Sequence, residues 1–255
     1  VNNTPAGTQV SFVDGPGNNN DYINESAPGS NVRISGTTFS DDAYINSDNS
    51  GSATLEFVGS GGSRIGTLYV YDGGRAIVGA EGEGGSLAGS RVLTARGFLA
   101  DADNGVLDIR NNTFVHDYDV NGAGVLQAIA HATTTAYNGG TWNGPGIRSH
   151  FANAGEYAVG YADSGDILGA GGGLINGVTV DGTSVVVRFT RYGDANLERS
   201  VGIADFARLG AGFNNAGTLW SGGIFNYDAS TNIADFSLLA SNYNQGLPGD
   251  AARPG

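Results

Sequence analysis

Between residues 31 and 119 the chain repeats short apolar runs separated by Gly, Asn or Asp, at 32–34, 53–58, 65–71, 76–78, 91–99, 106–109 and 113–115. Several alternate with period two, as in Leu68-Tyr69-Val70-Tyr71 and Val106-Leu107-Asp108-Ile109, the spacing of strands with one buried face. The links between runs are Gly-rich rather than helical, which suits a short parallel β-solenoid or, alternatively, a β-sandwich of hairpins. Few links carry the two-residue Asn-Gly or Asp-Gly turn of a tight hairpin, so the pattern favours the solenoid. Residues 1–30 are polar and turn-rich around a single apolar alternation at 9–13, which reads as a cap strand or as an arm that presents Val10 and Phe12 to a neighbour.

Residues 120–182 change character. Val125, Leu126, Ile129 and Ala132 fall at helical spacing, with Asn121 placed to cap the start and Asn138-Gly139-Gly140 to stop the helix. A loop containing Trp142 follows, and a second short helix is expected over 149–154. Residues 184–190, Ser-Val-Val-Val-Arg-Phe-Thr, form the clearest strand, whose apolar centre predicts burial on both faces. The expected organisation is an N-terminal arm at 1–30 and a β-rich domain at 31–190 with a helical insertion near 121–155. A duplicated loop–helix domain at 191–246 and a tail at 247–255 complete it.

The duplication is the strongest signal in the chain. Ser200-Val201-Gly202-Ile203-Ala204-Asp205-Phe206 aligns with Ser230-Thr231-Asn232-Ile233-Ala234-Asp235-Phe236, and Phe213-Asn214 with Tyr243-Asn244. Each copy reads as a polar loop feeding a helix, and Ile203, Phe206 and Phe213 share one face with their counterparts Ile233, Phe236 and Tyr243. The two helices are expected to pack around those aromatics. The loops carry oxygen-bearing side chains at alternate positions, which is how a tight loop surrounds calcium. In the first these are Asp194, Asn196, Glu198 and Ser200, closed by Asp205. In the second, Asn226, Asp228, Ser230 and Asn232 are closed by Asp235. The bland alternative is that Asn232 and Asp235 only cap the second helix, at capping-box spacing.

Composition narrows the chemistry. The 255 residues include 44 Gly and no Cys or Met, and the formal net charge is -13. All 12 basic residues are Arg. Without Cys there are no disulfides and no thiolate sites; without Lys there is no Schiff base. An acidic chain with no basic stripe is a poor nucleic-acid binder, and no stretch approaches a membrane span. Without an initiator Met the chain reads as an exported, extracellular or cell-surface protein whose targeting segment has been removed.

The paired loop–helix unit, above all Tyr192-Gly193-Asp194-Ala195-Asn196-Leu197 with the repeated Ile-Ala-Asp-Phe, resembles a type I dockerin. More narrowly it resembles the dockerin-like tails of secreted planctomycete-type surface proteins. There a Gly/Asn-rich β domain and a segment like Tyr137-Asn138-Gly139-Gly140-Thr141-Trp142 precede the tail. The resemblance implies calcium in the loops and a cohesin-like partner. The chain departs from the family at Arg199 and Ala229, where the loop normally has Gly, and at Ile224, where the first ligand is missing.

No constellation meets the geometric requirements of an active site. His116-Asp117-Tyr118-Asp119 reads as a strand end, His131 as a structural helix residue, and the adjacent Ser149-His150 pair lacks the spatial logic of a triad. The leading expectation is a non-catalytic structural subunit that polymerises into a filament, sheath or layer. The alternatives are a calcium-dependent docking module and, third, a β-solenoid glycan lyase or hydrolase using acid pairs such as Asp101 with Asp103 and Asp117 with Asp119.

Overall fold

The computed structural model describes residues 9–10, 23–25, 30–34, 42–45, 52–59, 61–80, 87, 89–100, 104–216 and 219–249; residues 9–10, 23–25 and 30 are described by backbone alone. The first strands are β1 (Gln9–Val10), β2 (Ile23–Glu25), β3 (Ser30–Ile34), β4 (Ala43–Ile45) and β5 (Ala53–Phe57). Next come β6 (Gly62–Val70), β7 (Gly74–Val78), β8 (Val92–Ala100), β9 (Val106–Asp108) and β10 (Thr113–Asp117). Helix α1 (Gly122–Tyr137) leads to β11 (Gly146–Arg148) and β12 (Tyr157–Asp163). Helix α2 (Ser164–Leu168), a hairpin of β13 (Gly173–Ile175) and β14 (Val178–Val180), and β15 (Ser184–Arg191) follow. Two equal helices close the chain, α3 (Ile203–Gly212) and α4 (Ile233–Asn242).

The protein is mainly β, built on one parallel and one mixed sheet. Strands β1, β3, β5, β7, β9 and β11 form a parallel sheet in that order, while β2, β4, β6, β8 and β10 run parallel in the other. Successive strands therefore alternate between sheets. Parallel neighbours cannot be joined by a tight turn, and here the return path of each sheet is a strand of the other. The hairpins of the sandwich alternative do not occur between β1 and β11 among the described residues. The second sheet is mixed because β15 pairs antiparallel with both β10 and β12. Flanked on both edges, β15 is buried at every position except Arg188, as its apolar centre predicts.

Register stacks like positions into rows. Val32, Leu55, Ala76, Leu107 and Ile147 form one row, and Ile34, Phe57 and Val78 the next; all are buried in the core. On the opposite face of this sheet the row Arg33–Glu56–Ile77–Asp108–Arg148 carries charge. Buried Glu56 accepts from Arg33 Nε at 2.6 Å and from Asn31 Nδ2 at 3.0 Å, and buried Asp108 accepts from Arg75 Nη2 at 2.8 Å. Burying a carboxylate costs stability unless it is paired in this way.

The buried phase of β6 slips partway along: Ser63 and Ile65 are buried, then Leu68 and Val70. Across this offset β4 pairs only with Leu68–Val70, while β10 pairs only with Val92–Ala95 of β8. Beyond Ala95, β8 keeps β6 on one side and has no strand on the other among the described residues.

Several sequence expectations need correction. Strand β1, with Val10, pairs with β3 of its own chain rather than standing out as an arm, and Phe12 lies outside the described residues. Asn121 sits at the N-cap of α1 in the left-handed region and makes no side-chain cap. The segment 149–154 forms turns, with no helix. Asn138 does end α1, in the left-handed conformation.

The C-terminal unit is not a separately tethered module, because a buried aromatic cluster fastens it to the β body. Trp220 and Tyr227 pack at 5.4 Å, and Tyr227 lies 4.5 Å from Tyr137 and 5.4 Å from Trp142. The Tyr227 hydroxyl donates to the Val159 carbonyl of β12 at 2.8 Å, and Trp220 Nε1 donates to the Asp194 carbonyl at 2.7 Å. From the other side, Arg191 Nε at the end of β15 donates to the Gly246 carbonyl at 2.8 Å. Gly160 makes the seam possible: a Cβ there would fall 2.5 Å from Leu197 Cδ2 and 2.6 Å from Trp220 Nε1. Gly160→Val is expected to cost about 3 kcal/mol, the upper range for overpacking. Wild type should melt in a single transition, and thermal denaturation of the variant should show a lower midpoint with loss of Trp220 burial by fluorescence.

Candidate functional site: the paired loops and helices

Both loops are organised by an aspartate in the first turn of the following helix. Asp205 Oδ1 accepts from the amides of Ala195 at 2.8 Å and Asn196 at 3.1 Å, and Oδ2 accepts from Gly202 N at 2.8 Å. Asp235 repeats this arrangement on Phe225 N at 2.7 Å, Asn226 N at 3.1 Å and Asn232 N at 2.9 Å. Each aspartate thus ties a loop start to a helix start, and Asp235 also completes a capping box with Asn232, whereas Gly202 at the start of α3 has no side chain to answer Asp205. The duplication extends to backbone conformation. Gly193 and Gly223 both have φ of 101°, Leu197 and Tyr227 have 59° and 58°, and Asn214 and Asn244 have 63° and 61°.

The loops diverge at their first position. In the first loop Asp194 is buried; its Oδ1 accepts from Glu198 N at 3.1 Å, and its Oδ2 accepts from Arg199 N at 2.7 Å and from the Thr190 hydroxyl. Asn196 Oδ1 also accepts from Glu198 N, at 3.0 Å, and Ser200 Oγ donates to Glu198 Oε1 at 3.2 Å. In the second loop buried Ile224 replaces Asp194. Asn226, Asp228, Ser230 and Asn232 are knitted together at its surface: Asp228 N donates to Asn226 Oδ1 at 3.1 Å, Ser230 N to Asp228 Oδ1 at 2.8 Å and Asn232 Nδ2 to the Ser230 carbonyl at 2.9 Å. Asn232 Oδ1 accepts from Ala234 N at 2.8 Å, the capping role foreseen for it.

Arg199 adopts φ of 72°, a left-handed turn that Gly would provide without strain. Its guanidinium donates through Nη2 to the Asn111 carbonyl at 3.2 Å, which ties the loop to the turn before β10.

Burial pushes the Asp194 carboxyl up to about 7, with repulsion from Asp205 as the second cause. Asp205 is also raised, chiefly by burial, against the pull of its three amide donors. Calcium takes six to eight oxygens. The first loop fits in donor chemistry, because Asp194, Asn196, Glu198 and Asp205 can each turn an oxygen to a cation and its two buried acids resist joint ionisation. The second does not fit, with Ile224 in place of the first ligand. Among the described residues no three acidic or imidazole groups converge into a preset metal cage.

The helix pair does not pack as expected. Leu209 and Leu239 are its buried apolar side chains, whereas Ile203 is 71% exposed, Ile233 67%, Tyr243 48%, Phe206 44% and Phe213 38%. Phe206 meets Phe236 edge-on at 6.2 Å. Five of the six side chains expected as a core are therefore exposed, and Phe236 alone of them packs partway into the interior.

The other groups weighed in the sequence serve separate structural partners. Asp117 pairs with Arg64, the Tyr118 hydroxyl donates to Asp163 Oδ2 at 2.7 Å, and Ser149 Oγ donates to the Arg110 carbonyl rather than to His150. Asp101 and Asp103 lie outside the described residues. Trp142, buried, packs edge-on against Tyr137. Among the described residues no helix is long and apolar enough to cross a membrane.

The raised Asp194 carboxyl gives a signed pH dependence. Unfolded, it titrates near 4, so between about 4 and 7 the folded chain retains a proton that the unfolded chain has released. Stability then falls as pH rises through that window. Without divalent ions the melting temperature should drop between pH 5 and pH 7.5. Calcium at pH 7.5 should restore it, and Asp194→Asn should abolish both effects while Asp228→Asn leaves them in place. No family model, curated protein or solved structure matches the chain.

Proposed function

We propose that the protein is a non-catalytic, extracellular assembly component. In this reading the alternating strands are the coils of a short parallel β-solenoid, and residues 191–246 form a dockerin-like unit that docks onto a partner protein through α3 and α4. The observation that supports it is the apolar surface that the duplication creates twice. A monomer normally keeps large side chains such as Ile203, Phe206, Ile233 and Tyr243 out of contiguous exposed patches, and such patches mark interaction sites. The partner implied by the resemblance is cohesin-like, with calcium held by Asp194, Asn196, Glu198 and Asp205 stiffening the first loop. Asp235 and the Asn232 cap hold the second loop by hydrogen bonds alone.

If the partner is another copy of the chain, the same face becomes the joint of a filament or surface layer. With β1 already paired inside its own chain, the helix face is a better joint than the N-terminal arm.

The test is a double variant, Ile203→Asp with Ile233→Asp. Both positions are exposed, so its melting temperature should stay within about 0.5 kcal/mol equivalent of wild type. Calorimetry against a purified type I cohesin, and sedimentation across a range of concentrations, should show association by wild type that weakens at least tenfold in the variant. A wild type that stays monomeric and ignores cohesin would overturn the reading.

A further inference from the structure

The β13–β14 hairpin is strapped across the start of β6. Its Ile175 and Val180 are buried in the core. Val178 presses so closely on the first residue of β6 that a Cβ at Gly62 would fall 2.9 Å from its Cγ2. The tip is the two-residue turn Asn176-Gly177, both left-handed at φ of 50° and 80°, as a tight hairpin requires. Asn176 fastens that tip in two directions. Its Nδ2 donates to the Gly89 carbonyl at 3.3 Å, and its Oδ1 accepts from Arg188 Nη2 at 2.8 Å.

Arg188 is the one position of β15 that is not fully buried, and its other arm reaches the first loop. Nη1 of the same guanidinium donates to the Leu197 carbonyl at 2.7 Å. A guanidinium is a flat fork with its donors in fixed directions, so the hairpin tip and the loop are held in one geometry. Leu197 needs such a hold. Its backbone has φ of 59°, a conformation that a residue with a side chain keeps only where its surroundings impose it. Its counterpart Tyr227, at φ of 58°, is fixed by its own hydroxyl on the Val159 carbonyl. A leucine has no polar group to serve in that way, and the Arg188 bond to its carbonyl takes the role. The residues that follow, Glu198 and Arg199, donate their amides to Asp194 at 3.1 and 2.7 Å.

We infer that the hairpin is a strap whose tip and the first loop are locked into one unit through Arg188, so that lifting the tip loosens the loop that feeds α3. Coupling of this kind is reciprocal: whatever steadies the loop also steadies the tip. The lock is internal to the chain and does not depend on what docks on α3 and α4.

Hydrogen exchange on the full chain, without divalent ions, tests the lock at the Glu198 and Arg199 amides, with Val186 in the middle of β15 as the reference for global opening. Asn176→Ala should speed exchange at Glu198 and Arg199 at least fivefold, the lower end of measured couplings, and leave Val186 unchanged. With Arg188→Met already in place, Asn176→Ala should add nothing at those two amides. Asn176→Asp keeps an acceptor for Arg188 but cannot donate to Gly89, so it should speed exchange at Val178 and leave Glu198 and Arg199 slow. Unchanged exchange at Glu198 and Arg199 in Asn176→Ala, or the same acceleration without the Arg188 guanidinium, overturns the inference. So does an equal rise at Val186, because strap and loop would then open only with the whole fold.

Discussion

Backbone hydrogen bonding in a parallel sheet is the constraint on which everything else rests. Neighbouring parallel strands need a long return path, and this chain supplies it by using each sheet as the crossover of the other. Once that route is taken, the side chains facing between the sheets must fill one shared interior. This is why Val32, Leu55, Ala76, Leu107 and Ile147 form a row of buried aliphatics rather than separate patches. The same route leaves open ends. Strand β15, antiparallel to two neighbours, runs along β10, and the distal part of β8 has a strand on one side only among the described residues.

Much of this was legible in the residues. Period-two alternation located most strands, the near-continuous apolar run at 184–190 announced a strand buried on both faces, and Asn138-Gly139-Gly140 marked the end of α1. The 30-residue duplication gave two loops and two helices of equal length, down to matching φ values at Leu197 and Tyr227. Less visible was which way the duplicated aromatics face. Helical spacing says that Phe206 and Phe213 share a side, but whether that side is inside depends on what the chain packs there. Here Leu209, Leu239 and the Trp220 cluster occupy the interior first. The fastening of the C-terminal unit was hidden for the same reason. Val159 and Tyr227 lie 68 positions apart, and nothing local in either marks the contact.

The two loops show how a duplicated element can divide its labour. Both keep the helix-first-turn aspartate, because it satisfies amides that would otherwise be unpaired. Only the first keeps Asp194, and with it a pair of buried acids whose ionisation works against folding. In the second, Ile224 removes that tension and the surface side chains bond to one another. A loop freed of charge stress is a scaffold; a loop that keeps it is responsive to its surroundings.

The anchoring of Tyr227 and Trp220 onto β12 has a mechanical corollary. A force applied to the exposed helices would meet no free linker before the β body among the described residues, and tension would enter along β15, locked edge to edge between β10 and β12. Separating that strand lengthwise would demand simultaneous rupture of two ladders, the loading mode in which short sheets resist best.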